Sequence, residues 1–273
     1  MKNVEAIAIG GFDGMHVGHQ QLFSALGSKG AVLVIETGYA NLTPGACREK
    51  HTDLPLYYYQ LQEIRHLDAE GFIAKLMREF PQLKKIVVGY DFHFGKDRCY
   101  SFNDLKELFH GKVEIIKEVC VDGDSVHSHK IRAKLQIGDI HGANRFLGYN
   151  YSVSGRHVKG QGLGSKELFA TINIEVKDVL LPQEGVYVTT VRLDNEEHFH
   201  PAVSFMGHRV STDGSFAVES HLLDENIGDV SQLQISFVDF IRVNQKFESL
   251  EALKEAIAKD IAVAKKKTQR LSL

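Results

Sequence analysis

The chain has 273 residues, with 32 Lys and Arg against 35 Asp and Glu, a formal net charge of −3, and 43% hydrophobic residues. This length predicts one large domain or two ordinary ones, and the near-neutral charge argues against a nucleic-acid partner bound through bulk electrostatics. Three separated cysteines, no signal-peptide pattern and no run of ~20 apolar residues argue against a disulfide framework and a membrane span, so we expect a cytoplasmic protein without a membrane partner.

The first half of the chain alternates short apolar runs with helical patterns. The predicted strands cover residues 4–9, 31–35, 85–89 and 113–119. The predicted helices begin near Val17 and cover residues 57–67, 72–80 and 102–109. Strands that alternate with helices indicate βαβ units on a parallel sheet, so we expect an α/β domain over residues 1–149.

The second half, residues 150–273, has a different pattern of apolar and polar residues. Its short alternating segments are separated by Gly, Asp and Asn, as in an antiparallel barrel or sandwich. They cover residues 151–158, 171–176, 185–193, 202–205, 216–223 and 233–243. A final helix is predicted with Ser249 as its N-cap and with one apolar face, formed by Leu250, Leu253, Ile257 and Ile261.

The most informative segment is the decapeptide GGFDGMHVGH at residues 10–19. It follows a predicted strand and opens a predicted helix, where backbone N–H groups and the helix dipole favour phosphate. His16 and His19 are three residues apart and can direct both imidazoles to one phosphate, while Gly18 lets the backbone approach closely. Two such donors suit the charge that builds up during phosphoryl displacement. The alternative is a capped helix with two surface histidines.

The decapeptide resembles the HxGH signature of α/β nucleotidyltransferases and, as GxFDGxHxGHxxL, the bacterial bifunctional riboflavin kinase/FAD synthetase family. Residues 88–95 (VGYDFHFG) resemble the family's VGxDFxFG segment, and residues 127–132 (HSHKIR) fall where the family has SSTxIR. The resemblance implies a Rossmann-like FMN adenylyltransferase domain whose His16 and His19 bind and activate the ATP phosphates. It also assigns ATP or phosphate binding to Gly10, Phe12, Asp13, Gly18, Ser128 and Arg132. Asp91 and Phe92 would face FMN.

The chain departs from the family pattern at two places in this half. The family's PHP-type segment after the second strand reads ETGYA at residues 36–40. His127 and His129 replace two hydroxyls of the SSTxIR motif. These histidines would donate to phosphate in place of the hydroxyls, or form an i, i+2 metal pair, although no third or fourth ligand is evident in the sequence.

In the second half, residues 160–164 (GQGLG) and 169–174 (FATINI) together resemble the riboflavin kinase pattern GxGxGxxxGFPTANI. The resemblance implies ATP-phosphate binding by Gly160, Gly162 and Gly164, and Mg²⁺ binding by Thr171 and Asn173. An i, i+2 spacing on a strand puts both oxygen ligands on one face, which suits a hard cation. Leu168 and Ala170 replace the family's Gly and Pro.

Residues 181–187 (LPQEGVY) and 218–224 (VESHLLD) match the family's LPxxGVY and VExHLLD segments. The glutamate of the latter is the general base expected for the riboflavin 5′-hydroxyl, so Glu219 is the predicted base. A carboxylate is apt because a primary alcohol needs a proton acceptor as it attacks the γ-phosphate. The alternative is an exposed strand carboxylate.

The resemblance covers nearly the whole chain. It predicts a two-domain enzyme: a Rossmann-like α/β FMN adenylyltransferase followed by an antiparallel β-barrel riboflavin kinase with a terminal helix. The kinase would use riboflavin and MgATP to make FMN, and the adenylyltransferase would join FMN to AMP from a second ATP to give FAD. The alternatives are an enzyme with one working half, another HxGH nucleotidyltransferase, or a flavin-binding regulatory protein. The sequence gives no oligomeric state.

Overall fold

The computed structural model describes residues 3–158, 169–194, 196–211, 213–223 and 230–269. The chain divides into two compact units, the first ending at Ser128 and the second beginning at His129. Within the described ranges, no helix is both long and apolar enough to cross a membrane.

The first unit is built on a parallel sheet. Its strands are β1 (Ala6–Gly10), β2 (Gly30–Glu36), β3 (Leu56–Gln60), β4 (Lys85–Gly89), β5 (His93–Phe94), β6 (Tyr100–Ser101), β7 (Lys112–Ile116), β8 (Cys120–Val121) and β9 (Asp124–Ser125). Its helices are α1 (Val17–Ser24), α2 (Leu61–Ile64), α3 (Ala69–Glu79) and α4 (Phe102–Leu108). The sheet has the order β3-β2-β1-β4-β7, all parallel, while β5–β6 and β8–β9 form separate two-stranded ribbons.

Both faces of the parallel sheet are buried. Ile7 and Ile9 point into a hydrophobic cluster that includes residues of α3 and α4. Ala6 and Ala8 point into a second cluster that includes Phe23 of α1. Because a parallel sheet is covered on both sides, its strands are continuous apolar runs rather than alternating ones. This confirms the α/β architecture expected for the first half.

The predicted helix over residues 57–67 is wrong in its first part. The structure has β3 from Leu56 to Gln60, and the helix α2 covers only Leu61–Ile64. Tyr59 is buried and Tyr58 exposed, which is the alternation of a strand that is half-covered by the core. Aromatic side chains fit such a surface well, so packing at the sheet edge overrides the helical spacing of the apolar residues.

The second half of the chain forms a closed barrel. Two helices come first, α5 (Ser128–Gln136) and α6 (Ile140–Leu147). The strands are β10 (Ser152–Val158), β11 (Ile172–Glu175), β12 (Gly185–Leu193), β13 (His200–His208), β14 (Phe216–Leu222) and β15 (Gln232–Val243). All neighbours in the order β10-β11-β14-β13-β12-β15 are antiparallel, and β10 also pairs with β15. Of the two architectures left open, the barrel is therefore correct.

The terminal helix α7 (Leu250–Thr268) begins as predicted, with Ser249 Oγ accepting from Ala252 N at 3.1 Å. Its buried face agrees with the expected one at Leu253, Ile257 and Ile261, which are partly buried, but not at its first residue. Leu250 is 47% exposed, while Asp260 is buried. Asp260 accepts from Arg242 through both carboxylate oxygens, at 3.1 and 2.8 Å, and this ion pair compensates the burial of its charge.

Helices α5 and α6 belong to the unit that contains the barrel. The amide of Asn144 on α6 donates to Phe237 O at 2.9 Å and accepts from Tyr151 N at 2.8 Å. The division between the two compact units falls after Ser128, the first residue of α5, whereas the resemblance places the domain boundary between residues 149 and 150. The latter boundary stays a prediction.

Candidate active sites

The first candidate site lies at the carboxyl edge of the parallel sheet. Strand β1 has β2 on one side and β4 on the other, so the chain leaves β1 toward one neighbour and later returns to its other side. In open α/β sheets, ligands bind outside the carboxyl ends of the strands where the order reverses in this way. The decapeptide follows β1, and residues 90–92 follow β4.

The backbone of the decapeptide is strained. Phe12 and Met15 have φ angles of 47° and 39°, in the left-handed region that non-glycine residues rarely adopt. Both side chains are buried, with exposed fractions of 2% and 0%, so core packing holds the strained backbone in place. Strain of this kind clusters at binding sites, where the surrounding structure fixes an otherwise unfavourable loop.

A buried arginine supports this loop. Arg48 is 0% exposed; its Nε donates to Phe12 O at 3.3 Å and its Nη2 to Gly11 O at 3.2 Å. Nη1 forms an ion pair with Glu36 at the end of β2. The sequence analysis missed Arg48, because nothing local distinguishes it from a surface arginine of the 3₁₀ helix Gly45–His51.

Asp13 also acts on the loop rather than facing outward. Its carboxylate accepts from Leu42 N at 2.9 Å and from Thr43 N at 3.0 Å. Thr43 Oγ1 accepts in turn from Gly14 N at 2.7 Å. Asp13 therefore joins the decapeptide to the segment that follows β2, and the structure gives its carboxylate a positioning role.

His16 and His19 form a stacked pair at the start of α1. Their ring centroids are 3.5 Å apart with an interplanar angle of 20°. His16 is the N-cap of the helix, and its Nδ1 accepts from His19 N at 3.4 Å. A Cβ on Gly18 would lie 3.1 Å from two atoms of the His16 ring, so the glycine leaves room for the imidazole.

Burial keeps both imidazoles neutral. It lowers the pKa of His16 to about 3, with a further contribution from the charge of His127. The pKa of His19 is held well below its usual value by burial first, and then by His16, Arg48 and His127. Because His16 Nδ1 accepts a hydrogen bond, its proton is assigned to Nε2. His19 Nδ1 is buried and has no hydrogen-bond partner among the described residues, which a bound ligand would explain.

Phe12 and Gly10 lie beside this pair. The Phe12 ring meets His19 edge-on with centroids 5.1 Å apart, and a Cβ on Gly10 would be 3.1 Å from the Phe12 ring. Ser128 Oγ donates to Asp13 O at 2.7 Å, so it contacts the same loop. Arg132 follows on α5, in the second unit.

The predicted flavin-binding residues follow β4. Asp91 is exposed, and the ring of Phe92 stacks on Phe94 with centroids 5.6 Å apart. The sequence analysis missed Tyr90, although it lies within the VGYDFHFG segment. Tyr90 OH donates to Glu118 Oε1 at 2.8 Å and lies 3.2 Å from His127 Nε2. His127 thus faces an acidic and phenolic pair beyond β7.

The second candidate site is on the barrel. Asn173 of β11 lies opposite Glu219 of β14 in the strand register, and Thr171 Oγ1 donates to Glu219 Oε2 at 3.5 Å. The structure therefore brings together the predicted metal ligands and the predicted base. Gly160, Gly162 and Gly164 lie outside the described residues.

Arg209 joins this cluster and was missed by the sequence analysis. Its Nε donates to Glu219 Oε1 at 2.6 Å, and its Nη2 donates to Asn173 Oδ1 at 2.7 Å. Nη1 donates to Ser215 Oγ at 2.8 Å, which anchors the guanidinium. The segment FMGHRVS at residues 205–211 has no spacing that marks this arginine, whose partners lie 10 and 36 residues away along the chain.

The cluster fits a divalent cation by its donor set. Thr171, Asn173 and Glu219 offer hydroxyl, amide and carboxylate oxygens, the ligands that Mg²⁺ prefers. The guanidinium of Arg209 already places a positive charge among two of these oxygens. A cation at Asn173 Oδ1 would require Arg209 to withdraw, since two positive charges cannot share that oxygen closely.

Comparison with known proteins finds a matching family model in each half of the chain. A "Riboflavin kinase" family model matches residues 147–268, and an "FAD synthetase" model matches residues 49–130. A bifunctional riboflavin kinase/FMN adenylyltransferase of Pseudomonas fluorescens is 32% identical over 94% of this chain and 91% of its own length. The Haemophilus influenzae protein of the same name is 31% identical over 95% and 93%. A solved structure titled macrolide-efflux protein, from Streptococcus pneumoniae, has a TM-score of 0.84 and 25% identity, covering 97% of this chain and 95% of that one.

Proposed function

Because the chain belongs to the bifunctional riboflavin kinase/FMN adenylyltransferase family, we propose that it makes both flavin cofactors in sequence. It phosphorylates riboflavin with ATP to FMN, and it adenylylates FMN with a second ATP to FAD. ATP, riboflavin, FMN and FAD are accordingly its small-molecule partners. The single observation that carries this proposal is that Thr171, directly before β11, and Asn173 of β11 meet Glu219 of the paired strand β14.

In the kinase step, Glu219 takes the proton of the riboflavin 5′-hydroxyl while that oxygen attacks the γ-phosphorus of ATP. A new oxygen–phosphorus bond forms, the bond to the β-phosphate oxygen breaks, and ADP leaves. Thr171 and Asn173 would hold Mg²⁺, which when bound neutralises charge on the transferred phosphoryl group. Before ATP arrives, Arg209 keeps the carboxylate of Glu219 paired.

In the adenylyl step, an FMN phosphate oxygen attacks the α-phosphorus of ATP, and pyrophosphate leaves. Each neutral imidazole of the His16–His19 pair can donate one N–H to the phosphate oxygens on which charge develops. Asp13 and Arg48 fix the loop that carries these histidines, and Gly18 leaves space beside the His16 ring. No covalent enzyme intermediate is needed, because positioning and charge stabilisation suffice.

Two finer points belong to this proposal. We take Mg²⁺ as the divalent metal, on the basis of the oxygen donor set at the barrel site. We place the enzyme in the cytoplasm, and its three cysteines, all free in the structure, are compatible with that reducing compartment.

The test is to incubate the purified full chain with riboflavin, ATP and MgCl₂ and to quantify FMN and FAD separately over time. We expect FMN to appear first and FAD to follow. If FMN accumulates but FAD does not form, even when FMN is supplied as the substrate, the adenylyl half is inactive. The absence of both products would leave a flavin-binding protein and overturn the proposal.

A further inference from the structure

A cluster of metal-ligating side chains lies outside both candidate active sites. It occupies the connection between β12 and β13, where residues 196–200 read EEHFH. Ligand atoms of Glu196, His198 and His200 all lie within 4.8 Å of one another, and no other group of three His, Cys, Asp or Glu in the described ranges does so. The proposed phosphate and flavin chemistry uses none of the three.

The distances within this cluster suit a tetrahedral metal. Glu196 Oε2 lies 2.8 Å from His200 Nε2 and 3.7 Å from His198 Nε2. A tetrahedral Zn²⁺ with bonds of about 2.0–2.1 Å requires ligand atoms about 3.3–3.5 Å apart. The two measured separations bracket that value, so small side-chain rotations are enough to close the site.

The backbone orients the two histidines together. They are two residues apart where the chain enters β13, and their ring centroids lie 4.4 Å apart. Phe199 lies between them in the sequence, and the Cζ atom of Arg192 is 5.5 Å from the centroid of the Phe199 ring. Glu196 N donates to Leu193 O at 3.0 Å, which fixes the turn that brings the carboxylate back to His200.

One of the three side chains is buried and two are exposed, as expected for a metal site that is open to water on one side. His200 is 6% exposed and starts β13, so it is held by the barrel. The side chain of His198 is 66% exposed and that of Glu196 41%. A metal held by these three would keep a fourth position for water.

We propose that Glu196, His198 and His200 form a Zn²⁺ site. Two imidazoles and one carboxylate favour Zn²⁺ over Mg²⁺, which prefers all-oxygen coordination. The site is separate from the proposed Mg²⁺ site: Glu219 lies opposite Phe205, about 16 Å along β13 from His200 at ~3.3 Å per residue. Bound Zn²⁺ would tie the β12–β13 connection to the barrel and stabilise the native state, because the unfolded chain lacks the site.

The experiment uses the full chain, stripped of metal with a chelator and kept free of ATP, which would compete for the ion. Zn²⁺ binding is measured by calorimetry, and Co²⁺ serves as a probe whose visible absorption reports tetrahedral coordination by protein ligands. The variant is His198→Ala, because His198 is exposed and its loss does not open the core. The control is His157→Ala, which removes an exposed histidine outside the cluster.

We expect one Zn²⁺ per chain with micromolar affinity or better, unchanged by millimolar Mg²⁺ and by His157→Ala. His198→Ala should weaken binding at least about tenfold, abolish the Co²⁺ absorption and remove the Zn²⁺-induced rise in melting temperature. Glu196→Gln, which can still hydrogen-bond to His200, should also weaken Zn²⁺ binding if the carboxylate is a ligand. Unchanged Zn²⁺ affinity in His198→Ala would overturn the proposal and leave the Glu196–His200 contact as a plain hydrogen bond of the hairpin.

Discussion

At the residue scale, Glu219 illustrates how one carboxylate serves two partners. Arg209 and Thr171 donate to its two oxygens, and its side chain is only 20% exposed. As the proposed base it would accept a proton from an alcohol, so we expect the guanidinium to give way when the substrates bind. The charge of Arg209 would then be available to the phosphates of ATP.

We expect Glu219→Gln to lower the rate of FMN formation by roughly 10²–10⁴-fold, because the amide cannot accept the proton. Riboflavin affinity, measured by quenching of flavin fluorescence, should be nearly unchanged. Adenylylation of supplied FMN provides the control, since His16 and His19, the catalytic residues proposed for that step, lie in the first unit. An equal loss of both activities would show that the substitution unfolds the chain.

We expect His19→Ala to lower the rate of FAD formation from supplied FMN by roughly 10²–10³-fold, because a donor to the developing phosphate charge is lost. Kinase activity should persist. The matched control is His66→Ala, an exposed histidine of the same unit. Normal FAD formation by His19→Ala would refute the role assigned to this imidazole.

The buried His16 makes stability depend on pH. Its pKa in the folded chain is lowered to about 3, mainly by burial, so below pH ~6.5 the unfolded chain binds a proton that the native chain does not. Above pH ~6.5 this burial costs no stability through protonation. Below it, the free energy of unfolding decreases as the pH falls toward 3, and the loss at pH 5 is about 2 kcal/mol.

The measurement is urea unfolding of the first unit at pH 7 and pH 5. His16→Gln should be less sensitive to this change of pH than the wild-type chain, whatever its absolute stability. If both proteins lose the same free energy of unfolding between these pH values, His16 does not stay neutral in the folded chain.

At the scale of elements, the decapeptide loop depends on the 3₁₀ helix Gly45–His51. Arg48 is the only residue of this helix that is classed as buried, and it carries the contacts to Gly11 and Phe12. The helix therefore determines the shape of a loop that is distant in sequence. We therefore expect Arg48 to be a positioning residue for the proposed adenylyl site.

We expect Arg48→Met to destabilise the first unit by about 3–5 kcal/mol, because Glu36 and two backbone carbonyls lose their buried partner. FAD formation should fall, while FMN formation continues. Lys50→Met, at an exposed position of the same helix, is the control, and Arg48→Lys should be intermediate because it keeps the charge without the forked donor. Wild-type melting and FAD synthesis in Arg48→Met would contradict this role.

The elements also show what could be predicted from the sequence. Periodicity and apolar runs predict most strands of both halves, and the HxGH-like decapeptide predicts where His16 and His19 lie. Local sequence patterns gave the wrong prediction where tertiary packing determines the structure. Tyr59 lies in the strand β3 and not in a helix, and Leu250 of α7 is exposed. Arg48 and Arg209 were missed because their partners are distant along the chain, and no spacing rule reports such a pairing.

At the scale of the whole molecule, the catalytic residues proposed for the two activities belong to different compact units. His16 and His19 belong to the first unit, and Thr171, Asn173 and Glu219 belong to the second. Each activity can therefore be abolished alone by substitution. Whether helices α5 and α6 belong to the kinase domain decides at which residue a working kinase fragment begins.

We expect a fragment of residues 129–273 to be more stable than one of residues 150–273. The shorter fragment lacks Asn144, which bonds to Phe237 O and Tyr151 N, and the buried Phe146 and Leu147. Its melting temperature should be lower by about 5 °C or more, measured by circular dichroism with and without flavin. Equal melting temperatures would support the boundary between residues 149 and 150.

The closure of the barrel also bears on self-association. In the barrel, each of the six described strands has a neighbour on both sides, whereas the parallel sheet ends at β3 and β7 with unpaired backbone groups. Outer strands of this kind are templates for aggregation, and charged side chains oppose it. Strand β7 carries Lys112 and Glu114, but β3 presents the exposed ring of Tyr58. When the barrel and the parallel sheet are compared, we therefore expect heat-induced strand pairing between molecules to begin at β3, the tyrosine-rich outer strand of the parallel sheet.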